Sequence, residues 1–255
     1  MSSRLDIFRT AKPQGKKIAM LTAYDYPTAR LLDEAGVDAL LVGDSVGMVV
    51  LGYPDTTSVT MEDMVHHTRA VARGTLRAAL IADLPIHSYD TAKQAVANAR
   101  RLIEAGADAV KLEGGASHAE RIAAITAAGI AVVGHIGMLP QSVREEGGYK
   151  IKGKTPEAAK LLLQDALAVE AAGAVAVVVE LVQHDAMAPI TKALHIPTIG
   201  IAAGEDCDGQ VLVIHDLVGF FPWFVPKFVH PLAAVGVAIR DAAAAYTARV
   251  HGADK

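Results

Sequence analysis

LIEAGADAVKLEG, residues 102–114, decides the fold. It reads as the end of a helix, a glycine, and a short run too brief to be another helix. Gly106 stands where the residue after a helix belongs, because glycine takes the left-handed conformation there without strain. In the strand that follows, Lys111 and Glu113 are two residues apart and share one face, while Val110 and Leu112 share the other. Helices packed outside can bury Val110 and Leu112. A charged pair fits the opposite face only where the strand end opens on a polar pocket. With that pocket empty, the two charges can pair with each other.

The same grammar recurs in LLDEAGVDALLVGD (31–44), ITAAGIAVVGH (125–135) and VEAAGAVAVVVE (169–180), with Gly36, Gly129 and Gly173 as the stops. The runs after them are rich in Val, Ile and Ala, as strands buried on both faces should be. The pattern predicts strands at 18–22, 39–42, 79–82, 109–112, 131–134, 174–179 and 198–201. An eighth is placed at 223–229, with the last helix at 232–250. Amphipathic helices are expected near 61–74, 91–105, 117–128 and 155–172. Three of these open on capping residues: Thr60 with Glu62 and Asp63, Thr91, and Thr155-Pro156-Glu157.

Eight βα units in 255 residues predict an α/β fold, a (β/α)8 TIM barrel in one domain over 1–255 with a short N-terminal segment. The competitor is a doubly wound open sheet, which the lack of GxGxxG after the first strand disfavours. Three connections exceed what closure needs: 43–59, 136–154 and 202–209. All follow strands, on the face where barrel enzymes keep their sites.

Composition narrows the function. The net charge is −4 and no basic stripe occurs, so no nucleic-acid partner is expected. Cys207 is the single cysteine, which excludes an intrachain disulfide and fits a reducing, cytoplasmic compartment. MSSRLDIFRT has no apolar run of a secretory signal. No stretch of about 18 uninterrupted apolar residues predicts a membrane span.

The predicted strand ends carry Tyr24-Asp25, Asp44-Ser45, Asp83, Lys111 with Glu113, His135 and Glu180. One Asp after a strand is ordinarily a cap or turn former. That does not account for Glu180 closing VAVVVE, or for Lys111 inside a strand. Asp44, Asp83 and Glu113 form an all-oxygen set suited to Mg2+ or another hard divalent cation. No histidine accompanies them, which argues against a closed zinc site. Lys111 can neutralise a substrate carboxylate or a developing enolate oxygen. Glu180, from a more distant strand, suits a base acting on substrate. His135 can donate to a substrate oxygen, orient a carboxylate, or be purely structural.

Other residues weigh less. His66 and His67 lie in a predicted helix, where core contact is the simpler reading than metal ligation. His87, in DLPIHSY, reads as loop structure. Cys207 lacks an activating base. Phe220, Phe221, Trp223, Phe224 and Phe228 crowd nine residues, as packing for the last helix, a subunit interface, or a stacking surface for a flat cofactor.

Longer motifs carry a resemblance. VGDSVGMVVLGYPDTTSVTMEDMVHHTRAVARG, ADLPIHSY, AVKLEGG, GHIGMLPQS with GGYKIKG, and IPTIGIAAGEDCDGQVLVIHDLVG closely resemble the ketopantoate hydroxymethyltransferase family. That family is similar to the wider Mg2+-dependent barrels that include isocitrate lyase and phosphoenolpyruvate mutase. The resemblance implies transfer of the one-carbon unit of 5,10-methylenetetrahydrofolate to 3-methyl-2-oxobutanoate, giving 2-dehydropantoate for pantothenate and coenzyme A synthesis. It implies Asp44, Asp83 and Glu113 as metal residues, Glu113 through a water. It implies Asp44, Ser45, Asp83 and Lys111 as keto-acid contacts and Glu180 as the proton acceptor. It also implies a homo-oligomer, commonly a decamer. A C–C lyase or phosphonate mutase is the alternative, but the KKCGH-type cysteine loop of those enzymes is missing. The chain departs from the family at Met138-Leu139, where Leu-Thr is expected, at Ala202-Ala203-Gly204, where Gly-Ala-Gly is expected, and in the aromatic richness of 220–224.

Overall fold

The computed structural model describes residues 3–252. They fall into two compact units, 3–211 and 212–252. The strands are β1 Ile18–Thr22, β2 Ala39–Val42, β3 Ala79–Asp83, β4 Ala109–Glu113, β5 Ala131–Gly137, β6 Ala176–Glu180, β7 Thr198–Ile201 and β8 Gly209–Leu212. They form a closed barrel in sequence order. The first unit carries the helices α1 Asp6–Thr10, α2 Tyr26–Glu34, α3 Val46–Val49, α4 Met61–Gly74, α5 Ala92–Glu104, α6 Ala119–Ala127, α7 Pro156–Ala171 and α8 His184–Ala193. The second carries α9 Ile214–Leu217 and α10 Val235–Val250.

The local signals act as their chemistry requires. Thr60 and Asp63 form a reciprocal capping box at α4. Thr91 accepts from the Gln94 amide, and Thr155 from the Ala158 amide. Each such cap stabilises its helix by about 1 kcal/mol. At the end of α5, Gly106 has φ of +112°. Its amide reaches the Ile103 carbonyl at 2.9 Å, and the next amide, Ala107, reaches Leu102 at 3.1 Å. This doubled closure satisfies two carbonyls that the helix leaves open. Gly36, Gly129 and Gly173 close α2, α6 and α7 in the same way.

Inside the barrel, side chains alternate with period two. Ala79 and Ile81 of β3, Ala109 of β4, Ala131 and Val133 of β5, and Ala176 and Val178 of β6 share one buried cluster. Two residues further along the same faces stand Asp83, Lys111 with Glu113, His135 and Glu180. The apolar interior therefore changes to a charged layer at the C-terminal ends of the strands. Val110 and Leu112 take the outward parity of β4 and are fully buried.

The foot of the barrel is closed by the N-terminal segment. Leu5, Phe8 and Ala11 join the interior cluster. Arg4 pairs with Asp108 at 2.9 Å and Lys12 with Asp208 at 3.0 Å. Asp38, Asp108 and Asp208 accept the amides of Ala19, Leu80 and Thr198. These acids stabilise the end opposite the charged layer.

The structure corrects the eighth strand. It is Gly209–Leu212, not 223–229. The aromatic run has β propensity, but Pro222 and Pro226 interrupt it and cannot donate to a ladder. Trp223 is 82% exposed. The true strand, GQVL, is short and holds a glycine. A Cβ on Gly209 would lie 2.5 Å from the Ile18 carbonyl oxygen, so only glycine lets β8 approach β1 there. β6 starts two residues later than expected and ends on Glu180, and the final helix begins at Val235. Among the described residues no helix is long and apolar enough to cross a membrane.

Candidate active site

Parallel register sets the charged layer. It aligns Asp83 with Lys111, Glu113 with His135, and Gly137 with Glu180. Lys111 Nζ lies 3.2 Å from Asp83 Oδ1 and 3.3 Å from His135 Nδ1. His135 Nδ1 is 3.5 Å from Glu113 Oε1, and its Nε2 is 3.3 Å from Glu180 Oε2. Asp83, Lys111, Glu113 and His135 are buried, and Glu180 is partly exposed. Lys111 and Glu113 do not pair with each other among the described residues. Spacing gives the reason: positions two apart on a strand are about 6.6 Å apart, and neighbouring strands only about 4.8 Å.

Asp44 and Ser45 follow β2. The Asp44 amide donates to Asp83 Oδ2 at 3.0 Å. Ser45 Oγ lies 2.8 Å from the Tyr24 hydroxyl. All six residues expected from the strand ends to carry binding or catalysis around Lys111 thus gather at one barrel end: Asp44, Ser45, Asp83, Glu113, His135 and Glu180. Two others were not anticipated. Gln141, in the 3-10 turn Pro140–Ser142, donates from Nε2 to Asp44 Oδ2 at 2.7 Å and from its backbone amide to Glu113 Oε2 at 3.0 Å. The Tyr89 hydroxyl donates to Gln141 Oε1. The signals for Gln141 were its place in a long connection directly after a strand and in the motif GHIGMLPQS.

Four carboxylates here face one ammonium and one imidazole. Burial, then Asp83 and Glu113, drives the Asp44 carboxyl well above the ordinary carboxylate range, against Lys111 and Gln141. Burial also raises Asp83, although Lys111 pulls it back. Burial opposes ionisation of Glu113, but His135, Lys111 and the Gln141 amide outweigh it and hold Glu113 low. Burial disfavours the Lys111 ammonium, yet Asp83, Glu113 and Asp44 together hold its pKa above normal. For His135, burial and Lys111 work against the charge, while Glu113 and Glu180 push it up to about 9.

This imbalance fits a hard cation. Asp83 Oδ1 and Glu113 Oε1 are buried and make no well-aligned hydrogen bond; each faces only a cation, Lys111 Nζ at 3.2 Å and His135 Nδ1 at 3.5 Å. Among the described residues no three Asp, Glu, His or Cys side chains stand so that together they could hold a metal ion. A cation of the Mg2+ type does not need three, because it takes one or two carboxylates and keeps water or substrate oxygens.

The remaining candidates have partners and surroundings of their own. His67 Nδ1 contacts the Tyr24 carbonyl at 2.7 Å, and His66 packs edge-on against His67. His87 is exposed, in a left-handed loop conformation with φ of +62°. Cys207 is buried, and burial pushes its thiol up to about 11, away from nucleophilic use. Phe220 stacks on His215, and Phe221 meets Trp223 edge-on.

A parallel barrel with an inward charged layer at its strand ends defines an enzyme of the (β/α)8 class. Solved structures share the fold: phosphonopyruvate hydrolase in complex with oxalate and Mg++ (TM-score 0.63, 18% identity, 83% of this chain and 81% of that one). Another is 2,3-dimethylmalate lyase, a PEP mutase/isocitrate lyase superfamily member (TM-score 0.65, 17% identity, 98% and 89%). The chain belongs to the ketopantoate hydroxymethyltransferase family, whose model matches residues 3–254. It is 58% identical to the 3-methyl-2-oxobutanoate hydroxymethyltransferase of Acetivibrio thermocellus over 94% of this chain and 85% of that protein. It is 52% identical to the enzymes of the same name from Clostridium novyi (98% and 92%) and Dehalococcoides mccartyi (98% and 89%).

Proposed function

We propose that this chain transfers a hydroxymethyl group from 5,10-methylenetetrahydrofolate to 3-methyl-2-oxobutanoate, giving 2-dehydropantoate for pantothenate and coenzyme A synthesis. The observation that carries this reading is the contact chain Asp83–Lys111–His135–Glu180 across four adjacent strands, in a member of a hydroxymethyltransferase family. The lyase alternative has support only from fold, at 17% identity, against 52–58% for the transferases.

Asp44, Asp83 and, through water, Glu113 would hold Mg2+ or another divalent cation. When bound, such a cation supplies Lewis acidity toward the keto and carboxylate oxygens and so acidifies the C3 proton. Asp44, Ser45, Asp83 and Lys111 bind the keto acid. Glu180 removes the C3 proton, and His135, between Glu113 and Glu180, aims its carboxylate. Lys111 keeps an ammonium beside the oxygen on which negative charge develops. The C3–H bond breaks and a C3–CH2 bond forms. The carbon leaves the folate nitrogens, and one water taken up overall supplies the new hydroxyl.

The cytoplasm is the proposed compartment, with small molecules rather than nucleic acid or membrane as partners. A homo-oligomer, a decamer by the family resemblance, is the proposed assembly. The exposed Trp223, Phe224 and Phe228 support it as apolar surface. Incubation of the protein with 3-methyl-2-oxobutanoate, methylenetetrahydrofolate and Mg2+ should yield 2-dehydropantoate, and chelation should stop it. No product under any divalent cation would refute the reading.

A further inference from the structure

Gln141 is 5% exposed and every polar group of its side chain is engaged. Nε2 donates both hydrogens, to Asp44 Oδ2 at 2.7 Å and to the Leu84 carbonyl at 3.0 Å. Oε1 accepts from the Tyr89 hydroxyl. The amide cannot be reversed, because a carbonyl only accepts and would then face Oε1. The backbone amide of the same residue donates to Glu113 Oε2. One loop residue therefore holds groups that follow β2 and β3 and end β4, while belonging itself to the connection after β5. It takes one oxygen from each of two carboxylates and leaves Glu113 Oε1 facing His135 Nδ1 at 3.5 Å.

We propose that Gln141 is a positioning residue that couples cation binding at Asp44 and Glu113 to the order of the connection 138–154. The proposal rests on the cation reading given above. Groups that orient the oxygens around a cation set its affinity, and losing one typically costs about 10–100-fold. Linkage makes the effect reciprocal: what the loop does for the cation, the cation does for the loop. Arg144 and Lys150 are exposed on this connection and report its order to trypsin.

A purely space-filling Gln141 would change stability and leave cation affinity alone. The test is calorimetric titration of the substrate-free chain with MgCl2, for wild type, Gln141→Met and Tyr89→Phe. Tryptic cleavage at Arg144 and Lys150 is followed in parallel, with and without Mg2+. Wild type should bind Mg2+ and become slower to cleave. Gln141→Met should bind at least about tenfold more weakly and lose the protection. Tyr89→Phe, which removes the hydrogen bond that Gln141 Oε1 accepts, should shift both readouts the same way by less, and it carries the test if Gln141→Met does not fold. Wild-type affinity in both variants, or cleavage indifferent to Mg2+ in a wild type that binds it, overturns the proposal alone. No Mg2+ binding by wild type overturns the cation reading and the proposal with it.

Discussion

Lys111 Nζ lies 3.2 Å from Asp83 Oδ1 on the neighbouring strand, while Glu113, two residues along its own strand, meets His135 at 3.5 Å. The ammonium is thus committed laterally. Lys111→Met leaves the buried Asp83, Asp44 and Glu113 without their ammonium and should cost about 3 kcal/mol; Asp83→Asn removes one of three carboxylates and should cost less. The double variant should cost less than the sum, with a coupling of about 1–3 kcal/mol. Urea unfolding of the four proteins measures it. Additive losses would mean that the pair is not formed in solution.

Ala202 has φ of +50°, in the region that favours glycine. It stands where the family resemblance leads one to expect glycine. An alanine there carries about 1–2 kcal/mol of strain, and glycine would give back about 0.4–1 kcal/mol through the freer unfolded chain. Ala202→Gly should therefore raise stability by up to about 1.6 kcal/mol. Ala203→Gly, at a buried neighbour outside that region, should lower it. A rise in urea midpoint for Ala203→Gly but not for Ala202→Gly would contradict this.

How much of this was legible in the sequence depends on which residues interact. The glycine stops, the Thr caps and the short runs rich in Val, Ile and Ala are local, and seven strands followed from them. Glu180 and Lys111 stood out because charge inside an apolar run has few structural explanations. The partner of Lys111 was not legible, because it depends on the register between β3 and β4, set by the whole barrel. The eighth strand was placed on 223–229, with its three aromatics, and not on four plain residues, GQVL, whose pairing is decided by β7 and β1. Gln141 and Tyr89 are neutral residues in connections, and no spacing marks such a side chain as buried beside two carboxylates.

Asp33 offers a pH-dependent check at the outer side of the barrel. Its Oδ1 accepts the Arg77 and Ala78 amides, each at 2.8 Å. Burial opposes its ionisation, but those amides, with that of Leu76 and the Arg77 guanidinium, outweigh burial and hold its pKa below normal. A depressed folded pKa means stability that is fully present above the unfolded value, about 3.9, and lost as pH falls through the folded value. Asp33→Asn should cost about 1–2 kcal/mol at pH 7. The gap to wild type should close as pH drops below about 4. Urea midpoints between pH 7 and pH 3 measure it, and a gap that widens toward acid would refute the sign.

The most direct measurement follows loss of the C3 deuteron from labelled 3-methyl-2-oxobutanoate in the presence of Mg2+, without folate. Wild type should exchange it into water. Glu180→Gln should bind the keto acid with similar affinity and lose exchange by at least about a hundredfold, as removal of a positioned base predicts. Exchange at the wild-type rate in Glu180→Gln would contradict the assignment of Glu180 as the base.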